Sequence, residues 1–173
     1  HKICRLGIAR TFQITRPFAR MSCLENVSVA LSERQEHTSK QGRMKKAQEF
    51  LQLTGLSGKE LIDAGQLNLI DKKRLEIARA MATGPQLILL DEPLGGLNSK
   101  EMQQALDLIS HIRTHFKVTI LWIEHIMGAI MQLSHRLIVL DQGELISSGT
   151  PEEVSCDPLV IKAYLGEQDN AEN

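Results

Sequence analysis

The middle of the chain reads LILLDEP at residues 87–93, four apolar residues followed by two carboxylates and a proline. A short, continuous apolar run is typical of a fully buried strand. Asp91 and Glu92 then lie at the carboxyl end of that strand, the edge where open α/β sheets bind ligands. Adjacent side chains at a strand end point in different directions, so Asp91 is suited to hold hydrated Mg²⁺ and Glu92 to orient an attacking water. The alternative interpretation is a solvated junction between a strand and a turn.

Downstream of this stretch, apolar runs and helical patterns alternate along the chain. Strands that alternate with helices predict right-handed βαβ units and a parallel sheet. A turn at residues 141–143 predicts a hairpin that ends the sheet with an antiparallel strand. The predicted strands are 87–90, 118–123, 136–140 and 144–148. One helix is predicted after residue 98 and a second, short helix ends near residue 133. Two further helices are predicted to begin at Pro151 and at Pro158.

Upstream, residues 25–32, 43–54 and 71–83 have helical patterns, and no clear strand lies between residues 16 and 84. The polar residues 33–42 are predicted to form a loop. The sequence therefore predicts an α/β sheet core with an inserted helical lobe.

Composition narrows the class of protein. The 173 residues include 20 Lys and Arg against 21 Asp and Glu, and only 3% aromatics. This balance provides neither a field that attracts a phosphate backbone nor a surface on which bases stack, so we expect no nucleic-acid partner. Three scattered cysteines favour neither a disulfide framework nor a zinc site. The apolar runs are too short to span a membrane.

Two further residues are candidates for the same sheet edge. His125 ends the next predicted strand, where it can donate a hydrogen bond to a terminal phosphate or simply cap the strand. Gln13 ends a short β-prone segment and can reach a metal or a water, although a surface glutamine is commonplace. Because neighbouring strand ends converge on one crevice, we expect His125 beside Asp91 and Glu92.

The order of these motifs resembles that of ABC transporter ATPases over nearly the whole chain. The motifs are, in order, FQ at residues 12–13, RLEIARA at 74–80, LILLDEP at 87–93, GGLN at 95–98 and IEH at 123–125. Five further stretches look like those of the branch that imports branched-chain amino acids: GIARTFQ, ENVSVA, RLEIARAMAT, GTPEEV and KAYLGE. The resemblance implies a P-loop NTPase-like sheet core that binds ATP and Mg²⁺.

The resemblance also assigns roles to residues. Gln13 matches the Q-loop glutamine, which implies a ligand of Mg²⁺. Asp91 matches the Walker B aspartate, which implies a ligand of Mg²⁺ and a contact with nucleotide. Glu92 matches the catalytic glutamate and His125 the switch histidine, so the implied catalytic set is Gln13, Glu92 and His125. Residues 95–98 match the D-loop, in which Asn98 is expected near nucleotide.

By the same resemblance the chain divides into four parts. Residues 1–15 end the N-terminal core and contain the Q-loop, and residues 16–83 form the helical subdomain with a degenerate signature. Residues 84–150 form the α/β core with Walker B, D-loop and switch histidine, and residues 151–173 form C-terminal helices and a tail. Residues 15–26 are where this family contacts the coupling helix of its membrane subunit, and Phe18, Met21 and Leu24 are either apolar anchors there or core of the lobe.

The phosphate loop G-x-x-x-x-G-K-[ST] is missing from these 173 residues. The segment SGKE at residues 57–60 lacks both the glycine spacing and the hydroxyl residue. In the family that loop precedes the Q-loop, so we expect an N-terminally truncated chain. We expect this piece alone not to hydrolyse ATP at an appreciable rate, because the amides and lysine that cradle phosphates are absent.

The family signature L-S-x-G-Q is replaced by LNLID at residues 67–71. In the family this segment binds the γ-phosphate held by the partner ATPase, helped by the helix N-terminus that follows. Asn68 can still donate to a phosphate, whereas Ile70 adds a branched side chain and Asp71 a negative charge. Asp71 is alternatively an N-cap of the next helix. We expect an asymmetric pair of nucleotide sites, the partner's being the weaker.

The function implied is that of an ATP-hydrolysing importer subunit, with branched-chain amino acids as the cargo. The implied partners are a second, distinct ATPase subunit, membrane permease subunits and, indirectly, a solute-binding protein. The implied place is peripheral, on the cytoplasmic face of the inner membrane. One alternative is a nonhydrolytic structural or regulatory subunit, and a weaker one is an ABC protein acting on nucleic acid or ribosomes.

Overall fold

Three parallel strands within residues 1–124 form a sheet. The computed structural model describes residues 1–32 and 39–169. The strands are β1 (Ile8–Arg10), β2 (Leu87–Asp91) and β3 (Thr119–Ile123), in the order β1-β2-β3. Their register pairs Ala9 with Ile88 and Leu89 with Leu121. The parallel sheet predicted from the alternation of strands and helices is therefore confirmed, and β2 is its central strand.

Helices occupy most of the segment between β1 and β2. They are α1 (Lys2–Arg5), which precedes β1, then α2 (Cys23–Ser32), α3 (Lys40–Leu53) and α4 (Leu69–Ala82). The three longer helices bury one apolar cluster that includes Val27, Leu51 and Leu75, each fully buried. The predicted helical lobe is therefore present. The short α1 was not predicted, because it has no side-chain N-cap and no buried residue to give it a pattern.

The predicted loop at residues 33–42 is corrected at its far end. Ser39 caps α3 by accepting a hydrogen bond from the Gly42 amide at 3.1 Å, so the helix begins at Lys40. A serine at the N-cap satisfies a backbone donor that the first turn leaves unpaired. Residues 33–38 of the predicted loop lie outside the described residues.

Helix α5 (Ser99–Phe116) follows β2 and returns the chain to β3. Asn98 and Glu101 form a reciprocal capping box at its start, with both hydrogen bonds at 3.0 Å. Lys117 ends the helix in the left-handed conformation, at φ 52°. Ile109 and Ile112 on its inner face are buried. These signals place a βαβ unit after LILLDEP, as the sequence predicts.

The chain divides into two compact units, His1–Glu124 and His125–Asn173. The second contains α6 (Met127–Leu133), β4 (Leu137–Asp141), β5 (Glu144–Gly149), α7 (Pro151–Ser155) and α8 (Pro158–Asp169). β4 and β5 pair antiparallel around a turn whose Gln142 and Gly143 both have positive φ. Leu137, Val154 and Val160 form the buried cluster of this unit.

One expectation about β4 is wrong. The sequence predicted that it extends the parallel sheet, whereas over the described residues β4 pairs with β5 alone, in a separate two-stranded sheet. The turn of two residues with positive φ favours this local pairing, since its twist matches that of a hairpin. Within the described ranges, residues 1–32 and 39–169, no helix is long and apolar enough to cross a membrane.

Candidate functional site

Asp91 and Glu92 lie where the central strand ends. Asp91 is the last residue of β2, and the Glu92 amide donates to the Ile123 carbonyl of β3 at 3.0 Å. Glu92 has φ 44°, a left-handed conformation that costs a residue with a side chain roughly 1–3 kcal/mol. Strain of this kind is concentrated at functional positions, because the surroundings must hold it in place. Lys117 at the end of α5 and Gln142 in the hairpin turn share a positive φ, so this backbone feature adds to the case for Glu92 only together with its place at the sheet edge.

Gln13 meets Glu92 across the edge of the sheet. Its Nε2 donates to Glu92 Oε2 at 2.7 Å, although the two residues are 79 positions apart. The contact follows from the parallel pairing of β1 with β2, because Gln13 follows β1 as Glu92 follows β2. The two residues singled out separately from the sequence are thus brought together. The amide oxygen of Gln13 is not used in this bond and stays available to a cation or a water.

Asp91 is held by a residue that the sequence analysis did not single out. Arg10, the last residue of β1, donates from a guanidinium nitrogen to Asp91 Oδ2 at 2.9 Å and also lies over the Phe12 ring, 4.9 Å from its centroid. Both side chains of the ion pair are partly exposed, so the pair contributes little to stability. The only signal in the sequence was a basic residue at the end of a β-prone segment, and its partner depends on strand register.

A buried lysine and a half-buried glutamate on α4 face this edge and were also missed. Lys73, 8% exposed, donates from Nζ to the Glu92 carbonyl at 3.2 Å. Burial lowers the pKa of Lys73, an effect that nearby Glu124, Glu76 and Glu92 partly offset. Glu76 accepts a hydrogen bond from the Phe12 amide at 3.1 Å. Burial raises the pKa of Glu76, while that amide and Arg79 act in the opposite direction.

His125 follows the last residue of β3 by two positions and is exposed. It is the first residue of the second compact unit. The residue before it, Glu124, accepts a hydrogen bond from the Leu94 amide at 2.9 Å and so fixes the turn that follows Glu92. The predicted grouping of His125 with Asp91 and Glu92 stays a prediction.

The segment in place of the family signature starts α4. Asn68 is the N-cap, and its Oδ1 accepts the Asp71 amide at 2.9 Å. The alternative that Asp71 is itself the cap is wrong, because Asn68, three residues earlier, takes that position. Asp71 is 3% exposed and forms ion pairs with Lys59 and, at 3.5 Å, with Arg74. Two cations therefore compensate the negative charge expected to repel an anion.

The apolar members of that segment point in different directions. Ile70 is buried, so its branched side chain does not stand on the surface where a nucleotide would approach, whereas Leu69 is 44% exposed. A Cβ on Gly96, in the D-loop-like turn, would lie 2.9 Å from Leu69 Cδ2. Gly96 also has φ 76°, a backbone conformation that favours glycine, whereas the exposed Leu69 side chain could shift away from an added Cβ. The D-loop-like turn therefore packs on the start of α4 within one chain, and Asn98 directly after it caps α5.

A buried asparagine fixes the backbone of the segment after Gln13. Asn26 is fully buried, accepts the Phe18 amide at 2.9 Å, and donates to the carbonyls of Phe18, Met21 and Ser22 at 3.0–3.2 Å. Phe18 remains 46% exposed, whereas Leu24 belongs to the buried cluster of the helical lobe. Of the suggested apolar anchors, Leu24 is therefore core and Phe18 lies on the surface.

The donor set at the sheet edge suits Mg²⁺. Asp91 offers a carboxylate and Gln13 an amide oxygen, and Mg²⁺ is usually bound by one or two such ligands together with phosphates and waters. In the part of the chain that the structure describes, no group of three or more His, Cys, Asp or Glu side chains could hold a metal ion by itself. These residues fit a cation that arrives with phosphates rather than a protein cage.

Comparison with known proteins identifies the family. Residues 1–95 match the ABC transporter family, and residues 144–170 match the branched-chain amino acid ATP-binding cassette transporter family. The LivG branched-chain amino acid transport ATP-binding protein of Salmonella typhimurium is 40% identical over 96% of this chain and 70% of its own length. The corresponding BraF protein of Pseudomonas aeruginosa is also 40% identical, over 96% of this chain and 71% of its own.

Solved structures show the same relationship. The ADP form of the ATP-binding cassette MJ1267 matches with a TM-score of 0.78 and 26% identity, over 95% of this chain and 70% of that one. The post-hydrolysis dimer of the cassette MJ0796 matches with a TM-score of 0.75 over 83% of this chain. The P-loop NTPase-like α/β fold is therefore confirmed, and the chain belongs to the ABC transporter family of ATP-binding proteins.

Proposed function

We propose that this protein is the ATP-hydrolysing subunit of an importer of branched-chain amino acids, which powers transport through membrane permease subunits. The observation that carries the proposal is the hydrogen bond between Gln13 and Glu92, at the sheet edge that also presents Asp91. The LivG and BraF relatives and the family match at residues 144–170 support the choice of cargo. No comparison favours a nonhydrolytic subunit or a protein acting on nucleic acid.

In this proposal Glu92 orients the water that attacks the γ-phosphate and accepts its proton. Gln13 holds one carboxylate oxygen of Glu92 through Nε2, which leaves the other oxygen to face the water. His125, by its resemblance to the switch histidine, donates to the γ-phosphate. Catalysis of phosphoryl transfer is mostly positioning and charge stabilisation, so the fixed orientation of Glu92 is what this edge contributes.

Asp91 and the Gln13 amide oxygen would hold Mg²⁺, which neutralises the charge of the phosphates when it is bound. Arg10 occupies one oxygen of Asp91, and its side chain is more than half exposed. It can therefore turn toward solvent and release that oxygen at a low cost.

We assign the four parts of the chain as the resemblance implies: the Q-loop end at residues 1–15, the helical subdomain at 16–83, the α/β core at 84–150, and the C-terminal helices at 151–173. Asn68 and Asn98 would contact nucleotide across a dimer. Each uses its side-chain oxygen in a helix cap, so the amide nitrogen is the atom left to donate. The site completed by LNLID, which lacks the serine and glycine, would turn over more slowly than its counterpart.

The partners we propose are a second, distinct ATPase subunit, permease subunits and, through these, a solute-binding protein. The protein would lie at the cytoplasmic face of the inner membrane without entering it. No nucleic-acid partner is proposed. The exposed Phe18, which Arg79 covers at 4.8 Å, is the apolar residue best placed to meet a permease helix.

The test is transport by the complete assembly. The full chain encoded by the gene is reconstituted with its permease subunits in vesicles, and ATP turnover and leucine uptake are measured together. We expect both, and expect Glu92→Gln to abolish both while nucleotide binding remains. Nucleotide binding without turnover in the unchanged protein would instead identify a nonhydrolytic subunit, and turnover without leucine uptake would identify a different cargo.

A further inference from the structure

One face of α4 forms a row of polar side chains directed at the backbone near the candidate site. Lys73, Glu76 and Arg79 follow one another at intervals of three residues, so the row climbs about 9 Å along the helix. Each contacts the main chain of another segment rather than a neighbour on the helix. The sequence alone offers only a charged helix here, since the hydrogen-bond partners are 19 to 64 residues away.

The first two contacts reach the ends of both strands. Lys73 Nζ donates to the Glu92 carbonyl at 3.2 Å, and the Gly95 amide donates to the same carbonyl at 3.3 Å. Glu76 Oε1 accepts the Phe12 amide at 3.1 Å, one residue beyond the last ladder bond, in which the Thr11 amide donates to the Leu89 carbonyl at 2.9 Å. Side chains of α4 thus bond the backbone groups that lie just beyond the hydrogen-bonded part of the sheet.

The third contact fixes the segment beyond Gln13. Arg79 donates to the Arg16 carbonyl at 3.3 Å and lies over the Phe18 ring. Gln13 is therefore bracketed, with Glu76 holding the residue before it and Arg79 holding the chain three residues after it. Burying Lys73 is costly unless its charge has fixed partners, so its position is not that of a solvated surface lysine.

We propose that Lys73, Glu76 and Arg79 are positioning residues that set the distance between Gln13 and Glu92, acting through the backbone of the two segments that bear them. The proposal deepens the proposed function and rests on it for the role of Gln13 and Glu92. A displacement of about 1 Å in a catalytic group lowers the reaction rate by about a hundredfold. We therefore expect a change in the spacing of Gln13 and Glu92 to lower kcat. The affinity for nucleotide, which depends on other contacts, should change little.

The test compares matched variants of the full chain, reconstituted with its permease subunits. Lys73→Met and Glu76→Leu remove a contact, Lys73→Arg and Glu76→Gln keep a donor or an acceptor, and Lys72→Met changes the neighbouring lysine of the same helix. We expect the first two to lower kcat at least about tenfold, with KM for Mg-ATP changed less than about threefold. The conservative variants should recover most of the rate, and Lys72→Met should match the unchanged protein.

Amide hydrogen exchange provides a readout that does not need turnover. We expect Glu76→Leu to speed exchange at the Phe12 amide and Lys73→Met at the Glu92 and Gly95 amides, each at least about tenfold, with no change in Lys72→Met. Faster exchange with unchanged kcat would overturn the proposal, as would a loss of kcat that the conservative variants do not recover. If Glu92→Gln left turnover intact, the proposed function would fail, and unchanged exchange would still refute the role of α4.

Discussion

The carboxyl edge of the parallel sheet keeps the residue types of the family, whereas the start of α4 does not. At the sheet edge, Gln13, Asp91 and Glu92 keep the expected residue types, and their partners lie about 80 positions away. At the start of α4 the expected serine, glycine and glutamine are gone, and Asn68 and Asp71 are bonded to each other three positions apart. Both regions satisfy their polar groups, the sheet edge by contacts between distant strands and the start of α4 by a local cap together with the ion pair of Asp71 and Lys59.

The difference teaches what each region requires of its sequence. A helix start needs an oxygen at the N-cap, which asparagine, serine or aspartate supplies equally well, so its residues can change while the helix remains. The sheet edge needs an amide and two carboxylates at fixed positions, because each makes a specific contact across strands. Substitutions at the sheet edge should therefore reduce activity with little loss of stability, whereas those at the start of α4 should also lower stability.

The largest effect is expected at Glu92. Glu92→Gln keeps the side-chain shape and its contact with Gln13 but removes the group that accepts a proton, so turnover by the assembled transporter should fall at least about a hundredfold. Nucleotide binding, measured by equilibrium titration, should be retained. Glu144→Gln, on the exposed hairpin, is the matched control and should leave both unchanged. Comparable turnover in the two variants would contradict a chemical role for Glu92.

Asp71 tests the other region. Asp71→Asn leaves Lys59 and Arg74 without their anion, and we expect the free energy of unfolding to fall by about 1–3 kcal/mol. Denaturant titration of the purified chain measures this loss. Replacing both members of the main pair, in Asp71→Asn with Lys59→Met, should recover part of the stability. A double variant less stable than the sum of the two single changes would argue against direct pairing.

Asn68 sharpens the comparison with a smaller effect. Asn68→Ala removes the cap of α4 and should lower the free energy of unfolding by about 1 kcal/mol, whereas Asn68→Ser, which restores the family's residue, should change it by a few tenths. Thermal or denaturant unfolding distinguishes the two. If serine were as costly as alanine, the side chain of Asn68 would have a role other than capping.

The smallest effect is a pH dependence at Glu76. Because burial raises its pKa in the folded protein, the ionised form is disfavoured there, so the stability associated with Glu76 is greatest at low pH and falls as pH rises through the folded pKa. Glu76→Gln removes this dependence. The variant should therefore gain stability relative to the unchanged protein as pH rises above the ordinary glutamate pKa of about 4.3, as measured by unfolding at each pH.

Glu25 is the control of opposite sign for that measurement. The Ser22 amide and hydroxyl lower the pKa of Glu25, so its contribution to stability is present at neutral pH and is lost on acidification. Glu25→Gln should therefore lose stability relative to the unchanged protein as pH rises through the acid range toward the ordinary glutamate pKa of about 4.3, and the difference should stay constant above it. The same slope in both variants would mean that neither glutamate causes it.

Periodicity and turn residues were enough to predict most elements, because β2, α4 and α5 have strong local signals. The sequence also identified Gln13, Asp91 and Glu92, through their place after apolar strands and through resemblance. It did not reveal Arg10, Lys73 or Glu76, whose partners depend on strand register and on how α4 packs. For Asp71 a readable signal was overlooked: Asn68 and Asp71 have the spacing of a cap and its third helical residue.

The pairing of Asp71 with Lys59 has a consequence for chimeric proteins. These residues lie twelve positions apart, Lys59 in the loop after α3 and Asp71 in the first turn of α4, yet each is the other's counterion. If residues 67–71 of this protein were replaced by those of a relative with glutamine at position 71, Lys59 would remain without its anion. Exchanges between importer subunits are therefore best made as one block from residue 59 to residue 74, which moves all three charges together.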